Sequence, residues 1–133
     1  MITEDFVSFE TAKLLKEKGF DDEYTNAFYD KSGILYFIDI LSDFSEHPDN
    51  DTDIAASTLY VAMKWLREEK KIGIDINTNF GLDDDDKWYY EHGFCIFQLS
   101  DTFKKFAECD YEGYKTYEEA AEAAIKYCLE NLI

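Results

Sequence analysis

Residues 57–76 read STLYVAMKWLREEKKIGIDI, and we expect the fold to be organised around this helix-then-strand unit. Leu59, Ala62 and Leu66 recur at helical spacing, so the first part of the stretch predicts an amphipathic helix. Four cations crowd its second half, where the helix dipole favours positive charge. Isoleucines then alternate with other residues over 72–76, which is the period of a strand.

Capping residues predict where the three helices begin. Ser8, Ser57 and Thr116 each precede an apolar-periodic segment, and their side-chain oxygens can accept backbone N–H groups of a first helical turn. Thr116 is followed by Glu119, which completes a capping box. Gly19 predicts the end of the first helix because glycine readily adopts the left-handed conformation of a C′ residue.

Four segments have the alternation or the apolar content of strands. They are residues 24–29, 34–41, 72–78 and 87–99. The first two flank Asp30–Gly33, which suits a hairpin turn, and a bulge is expected at Gly93. The predicted order is α-ββ-α-ββ-α, an α+β fold with an antiparallel sheet of about four strands and three helices. We expect a single domain over residues 1–133 and leave residues 100–115 unassigned.

The segment 34–41 is unusual because both of its faces are apolar. Such a strand is either central, with both faces covered, or part of an interface with another protein. Asp39 is the one acid within the segment, and an exposed position near the end of the strand is the simpler interpretation of it.

The chain is strongly acidic, with 30 Asp or Glu and 13 Lys or Arg among 133 residues, a net charge of −17. A surface this negative repels phosphate backbones and anionic lipid, which argues against direct nucleic-acid binding and against membrane binding. Residues 1–6 lack the pattern of a signal peptide, and no apolar run reaches membrane-spanning length. With three cysteines and no CxxC spacing, the sequence predicts a cytoplasmic protein with reduced thiols.

Asp49, Asp51 and Asp53 match the first three ligand positions of a calcium loop. The match then fails, because Ile54 stands where the loop needs Gly and Tyr60 stands where it needs Glu. The three aspartates are therefore weak metal candidates, and an acidic loop that leads into a helix N-terminus is the simpler interpretation.

Other chemistry has little support in the sequence. Zinc would need His92 and Cys95 to join Cys109 or Cys128, yet positions 92 and 95 point to opposite faces of a strand. We find no phosphate-binding loop, no dinucleotide fingerprint and no nucleophile motif, and so expect no cofactor and no catalytic residue. The groups that a catalytic pocket could use are Asp39, His47 and His92.

Several segments resemble a set of short uncharacterised proteins from Bacteroides-type gut bacteria and their prophages. The resemblance lies in VSFETAKLLKEKGFD (7–21), in the stretch 56–68, in YKTYEEA (114–120) and in KWY (87–89). It implies a similar single-domain layout, a bacterial cytosol and a mobile-element setting. No activity or site residue comes with this resemblance.

The leading hypothesis is a non-enzymatic acidic protein-interaction domain from a prophage or mobile element, whose partner is another protein or a second copy of the chain. The first alternative is a DNA mimic that occupies the basic cleft of a host nucleic-acid-binding or defence protein. Its carboxylates would have to line one face, and they are Asp21, Asp22, Glu23, Glu46, Asp49, Asp51, Asp53, Asp83, Asp84, Asp85 and Asp86. A small enzyme or a calcium-binding protein is the remaining alternative.

Overall fold

The chain has the α+β architecture that the sequence predicts. The computed structural model describes residues 5–22, 25–38, 53–100 and 104–133. The elements within these ranges are α1 (Phe9–Glu17), β1 (Ala27–Tyr29), β2 (Leu35–Phe37), β3 (Ile54–Ala55), α2 (Leu59–Glu69), β4 (Ile72–Leu82), β5 (Trp88–Leu99), β6 (Lys104–Tyr114) and α3 (Tyr117–Asn131). The strands form two antiparallel three-stranded sheets, β2-β1-β3 and β4-β5-β6, where the sequence predicted about four strands in one sheet.

Two compact units divide the chain, Met1–Ala62 and Met63–Ile133. The first contains α1 and the sheet β2-β1-β3, and the second contains α3 and the sheet β4-β5-β6. The helix α2 supplies the last residues of the first unit and the first residues of the second. A single domain over residues 1–133 stays a prediction.

Both ends of α1 confirm the capping predictions. The Ser8 hydroxyl accepts the backbone N–H of Thr11 at 3.2 Å. At the other end Gly19 has a φ of +93°, and the Phe20 N–H donates to the Leu15 carbonyl at 2.9 Å. This is the Schellman arrangement, in which a left-handed residue lets the chain turn back onto the last helical turn.

The predicted hairpin is present in the first unit, with strands of only three residues each. Asp30 Oδ1 accepts the N–H groups of Ser32 and Ile34, and Gly33 has a φ of +84°. Among the described residues β2 pairs only with β1, and Ile34 and Phe37 are mostly exposed. Over the described residues 34–38 the segment therefore does not have both faces covered, and its role in an interface stays a prediction.

The helix α2 begins at Leu59, and its cap differs from the predicted one. The Val61 N–H donates to Thr58 Oγ1 at 3.2 Å, so Thr58 rather than Ser57 caps the first turn. Ser57 is fully buried, and its carbonyl accepts the Val7 N–H at 2.9 Å. The backbone of Ser57 thus pairs with that of Val7 within the first unit.

The second sheet is a meander with β5 in its centre. β4 and β5 pair without a register break from Ile72↔Gln98 to Leu82↔Trp88. β6 falls in residues 100–115, which the sequence left unassigned. Its pairing with β5 contains two register shifts, and such irregular pairing weakens the period-2 pattern from which strands are recognised.

The helix α3 packs against β4 and β5. Thr116 Oγ1 accepts the Glu119 N–H at 3.0 Å, as the capping box predicts. Contacts of α3 with His92 and Glu108 place it on the sheet face that also carries Phe94 and Ile96. The buried residues of the helix are Ala120, Ala121, Ala124, Ile125, Cys128 and Leu129. Burial of each large side chain in this layer contributes about 1.5–3 kcal/mol to stability.

The pairing of β5 with β6 is irregular at Gly93, the position where the sequence predicts a bulge. The register between β5 and β6 shifts between His92 and Phe94. A Cβ atom on Gly93 would lie 2.6 Å from the Asp110 carbonyl oxygen and 2.9 Å from Asn77 Oδ1. Glycine is therefore the residue that lets β6 approach β5 at this point.

We predict that Gly93→Ala lowers the free energy of unfolding by about 1–3 kcal/mol, because the new methyl group pushes against a backbone carbonyl. Urea unfolding followed by circular dichroism measures the change. Gly73→Ala is the matched control in the same sheet, since its Cβ would lie 3.4 Å from Leu99 Cδ1, an ordinary contact with a movable side chain. Equal losses for the two variants would contradict the steric role of Gly93.

Candidate functional site

The hairpin of β4 and β5 is longer than the helix that covers it. Strands of 11 and 12 residues extend about 36–40 Å, whereas the 15 residues of α3 rise only about 22 Å. The ring of Tyr117, the first residue of α3, lies 6.4 Å from the ring of His92. The strand residues between His92 and the hairpin turn therefore project past the N-terminal end of the helix.

The projecting part of the hairpin exposes large apolar side chains on one face. Phe80 pairs with Tyr90 and Leu82 pairs with Trp88, so the four side chains share the face on which α3 lies. Their exposed fractions are 73% for Phe80, 51% for Leu82, 76% for Trp88 and 62% for Tyr90. Single exposed apolar residues are common, but a contiguous group of this size marks an interaction surface.

Ring contacts connect this group to the helix. Ring centroids lie 6.3 Å apart for Phe80 and Tyr90, and 5.8 Å apart for Tyr90 and His92. The row ends at Tyr117, which is 46% exposed. We call Phe80, Leu82, Trp88, Tyr90, His92 and Tyr117 the aromatic face. Since neighbouring rings contact one another, their side chains lose less freedom when a partner covers them than isolated rings would.

The sequence predicted strands over residues 72–78 and 87–99 but did not predict that these aromatic side chains are exposed. The overlooked signal is the polar pair Thr78 and His92, whose Oγ1 and Nδ1 atoms lie 3.1 Å apart. In β4 the buried pattern ends at Ile76, Thr78 follows on the same face, and apolar residues then resume at Phe80. A polar position inside an alternating strand indicates the edge of the core, and apolar residues beyond it are exposed.

The acidic turn Asp83–Asp86 closes the hairpin and is exposed, as predicted. Asp83 Oδ1 accepts the N–H groups of Asp85 and Lys87 at 2.9 Å each, and Asp86 has a φ of +58°. The side chain of Asp83 thus stabilises the turn. The carboxylates of Asp84, Asp85 and Asp86 extend into solvent at the end of the aromatic face. Their role in binding a partner stays a prediction.

The remaining carboxylates proposed for interaction precede the β4–β5 hairpin in the chain. Asp21 and Asp22 follow α1 in the first unit, and Asp21 is exposed. Glu23 and three further acids lie outside the described residues; those three are Glu46, Asp49 and Asp51. The DNA mimic, which needs all of these groups on one face, stays a prediction.

Asp53 is the one calcium candidate within the described residues, and it is used for structure. Its Oδ2 accepts the hydroxyl of Tyr36, which connects β2 to the residue before β3. Burial, followed by this hydrogen bond, raises the pKa of Tyr36 to about 12. Calcium binding by the segment that contains Asp49, Asp51 and Asp53 stays a prediction.

The structure separates the predicted zinc candidates. His92 lies on the face of α3, Cys95 lies on the other face opposite Cys109, and Cys128 is buried in α3. Within the described ranges, no group of three or more His, Cys, Asp or Glu side chains could hold a metal ion. Burial raises the pKa of the Cys128 thiol to about 12, so this side chain behaves as a small apolar residue.

A cavity of about 510 Å³ lies beside β6. Its lining residues are Phe94, Glu108, Cys109, Asp110, Tyr111 and Tyr127. The Tyr127 hydroxyl donates to Glu108 Oε2 at 3.1 Å, and this bond raises the pKa of Tyr127. The Tyr111 hydroxyl lies 3.1 Å from Cys95 Sγ, and that contact raises the pKa of Tyr111. Both hydroxyls stay protonated at neutral pH and act as hydrogen-bond partners rather than as bases.

Of the three groups suggested for a catalytic pocket, the structure describes only His92. Its ring contacts Tyr90 and Tyr117 on the aromatic face, outside the cavity beside β6. Asp39 and His47 lie outside the described residues. A catalytic pocket built from these three groups therefore stays a prediction.

Comparison of the chain with protein families, with curated proteins and with solved structures gave no match. None of the helices in the described ranges combines the length and the apolar character that a membrane crossing requires. The function must therefore be argued from the surface chemistry of this chain alone.

We predict that Tyr36→Phe lowers the free energy of unfolding by about 1 kcal/mol at neutral pH, because Asp53 loses its hydrogen-bond donor. The advantage of the wild type should shrink as pH rises from 10 towards 12. Over that range the unfolded chain releases the phenolic proton while the folded chain holds it, so the contribution of Tyr36 is lost.

Urea unfolding from about pH 8 to about pH 11 measures this dependence. Tyr60→Phe, at an exposed tyrosine of α2, is the control and should follow the wild type throughout. A constant difference between wild type and Tyr36→Phe over the whole range would show that the hydroxyl does not titrate as described.

Proposed function

We propose that this protein is a non-enzymatic protein-interaction domain and that the aromatic face is the surface that takes a protein partner. The observation that carries the proposal is the exposure of Phe80, Leu82, Trp88 and Tyr90 together on one face of a regular hairpin. The regular pairing of β4 with β5 fixes the backbone positions of these residues in the unbound protein, and such preorganisation lowers the entropic cost of binding.

The energetics favour this use of the surface. Each buried aromatic residue removes about 150–250 Å² from water, at about 25 cal/mol per Å². Tryptophan and tyrosine are also the residues most often found at the centre of interfaces, where a few anchors dominate the affinity. Trp88 and Tyr90 are therefore the expected anchors.

The setting of the proposed interaction rests on the sequence. The net charge of −17 and the three cysteines without CxxC spacing favour a cytoplasmic protein, and the resemblance to prophage-associated proteins of Bacteroides-type bacteria favours a mobile element. A surface of this charge suppresses unspecific contacts with nucleic acid and with other acidic proteins. The aromatic face is therefore the surface through which we expect a specific partner to bind.

We predict that a photoreactive phenylalanine analogue at position 88 forms a discrete crosslinked product in cells of the native host. The same analogue at position 60, which is also exposed but lies on α2, should form none. The reason is that a group at the centre of an interface is held next to its partner, whereas a solvated one is not. Electrophoresis of the purified bait measures the product, and its mass identifies the partner.

A product at position 88 that disappears when Tyr90→Ser is added would support the aromatic face, because Tyr90 neighbours Trp88 and is itself exposed. Equal crosslinking at positions 60 and 88, or none at position 88, would refute the proposed function. Thermal unfolding of Tyr90→Ser should stay close to that of the wild type, since an exposed side chain contributes little to the core.

A further inference from the structure

The outer edge of β4 presents hydrogen-bonding groups that β5 does not use. The Leu99 N–H donates to the Lys71 carbonyl at 2.8 Å, and the Asp83 N–H donates to the Lys87 carbonyl at 2.9 Å. At both ends of the β4–β5 pairing, the backbone groups that bond to β5 therefore belong to odd-numbered positions. The register between the two ends is unbroken, so the same holds along the whole of β4. The amides and carbonyls of the even-numbered residues 72–82 point away from β5, where no strand pairs with them among the described residues.

This edge lacks the devices that normally prevent strand addition. Edge strands are usually protected by lysine, proline, a bulge or short length. β4 is 11 residues long and pairs regularly with β5, and its sequence, IGIDINTNFGL, contains one charged residue, Asp75. The opposite edge strand, β6, has two register shifts and begins with two lysines. The edge of β4 is thus the one suited to backbone pairing.

A second β4 fits this edge better than an arbitrary strand does. Antiparallel pairing of β4 with its own copy about Asn77, the midpoint of the strand, uses all the outward-facing residues. In this register Phe80 lies opposite Ile74 of the second copy, and Leu82 lies opposite Ile72. Paired residues lie on the same face of a sheet. Phe80 and Leu82 of one copy therefore lie beside the part of the other copy's sheet that its α3 covers.

Charges agree with the same register. It brings the acidic turn Asp83–Asp86 of one copy to the end of β4 that Lys70 and Lys71 precede in the other. Lys70 and Lys71 are exposed at the end of α2 and directly precede β4. The contacts occur twice because the arrangement has two-fold symmetry, and they place Lys70 and Lys71 against the turn with four consecutive aspartates.

We propose that the aromatic face and the outer edge of β4 bind a second copy of this chain, β4 against β4, to form a continuous six-stranded antiparallel sheet. This inference rests on the proposed interaction function and names its partner. It accounts for the length of the hairpin, because the residues that α3 leaves exposed in one copy adjoin the helix-covered strand of the other.

Sedimentation equilibrium of the purified full chain tests the proposal. The wild type should have twice the chain mass of 15.6 kDa at a concentration of about 100 μM. Thr78→Pro should be a monomer, with self-association weakened by about 100-fold or more, because proline removes an outward N–H and occupies the edge. The fold should survive, since the Thr78 N–H does not pair with β5.

Thr78→Val is the matched control. It loses the same hydroxyl contact with His92 as the proline variant but keeps the backbone N–H, so it should remain a dimer. Circular dichroism of both variants should match the wild type. A monomeric wild type, or a dimer that Thr78→Pro leaves unchanged, would overturn the proposal.

Charge exchange tests the register itself. Lys70→Glu and Asp84→Lys should each weaken self-association by about tenfold at low salt, because each places like charges opposite one another twice. Mixing the two variants should restore the dimer, since both contacts of the mixed pair are again between opposite charges. Failure of the mixture to associate more tightly than either variant alone would exclude the register about Asn77.

The outcomes separate this inference from the function on which it rests. A monomeric wild type that still crosslinks through position 88 to a different protein would overturn self-association and leave the interaction function standing. A monomer that crosslinks to nothing through position 88 would overturn both.

Discussion

The packing of α3 on β4 and β5 is the interaction on which the second unit depends. Its alanines, with Ile125 and Leu129, close over Phe94 and Ile96 and exclude water from one face of the sheet. A helix rises less than half as far per residue as a strand, so α3 can cover only part of so long a hairpin. Core and exposed surface therefore belong to the same sheet face, and Thr78 and His92 separate them.

Local signals in the sequence were sufficient for much of this fold. Ser8, Gly19, Thr116 and the turn at Asp30 act through hydrogen bonds within a few residues, so their positions follow from short-range chemistry. The α+β class and the three helices follow in the same way. The cap of α2 was displaced by one residue because Ser57 pairs with Val7, a contact between distant parts of the chain.

Features that depend on distant pairing could not be derived. The division of the strands into two sheets and the presence of β6 depend on which strand accepts which partner, and local periodicity carries no such information. The candidate site is a similar case. Trp88 and Tyr90 were placed correctly on one strand face, but their exposure depends on where α3 begins relative to that strand.

The acidity of the chain and the aromatic face have related consequences. Strong net charge keeps copies apart at long range, whereas an exposed apolar group attracts any apolar surface at contact. An acidic protein whose edge strand carries a single charged residue therefore associates best where that edge is matched and where Lys70 and Lys71 meet carboxylates. Lys70 and Lys71 lie at one end of β4 and Asp83–Asp86 lie at the other, so the strand itself carries opposite charges at its two ends. This polarity selects an antiparallel neighbour, because a parallel one would place like charges together at both ends.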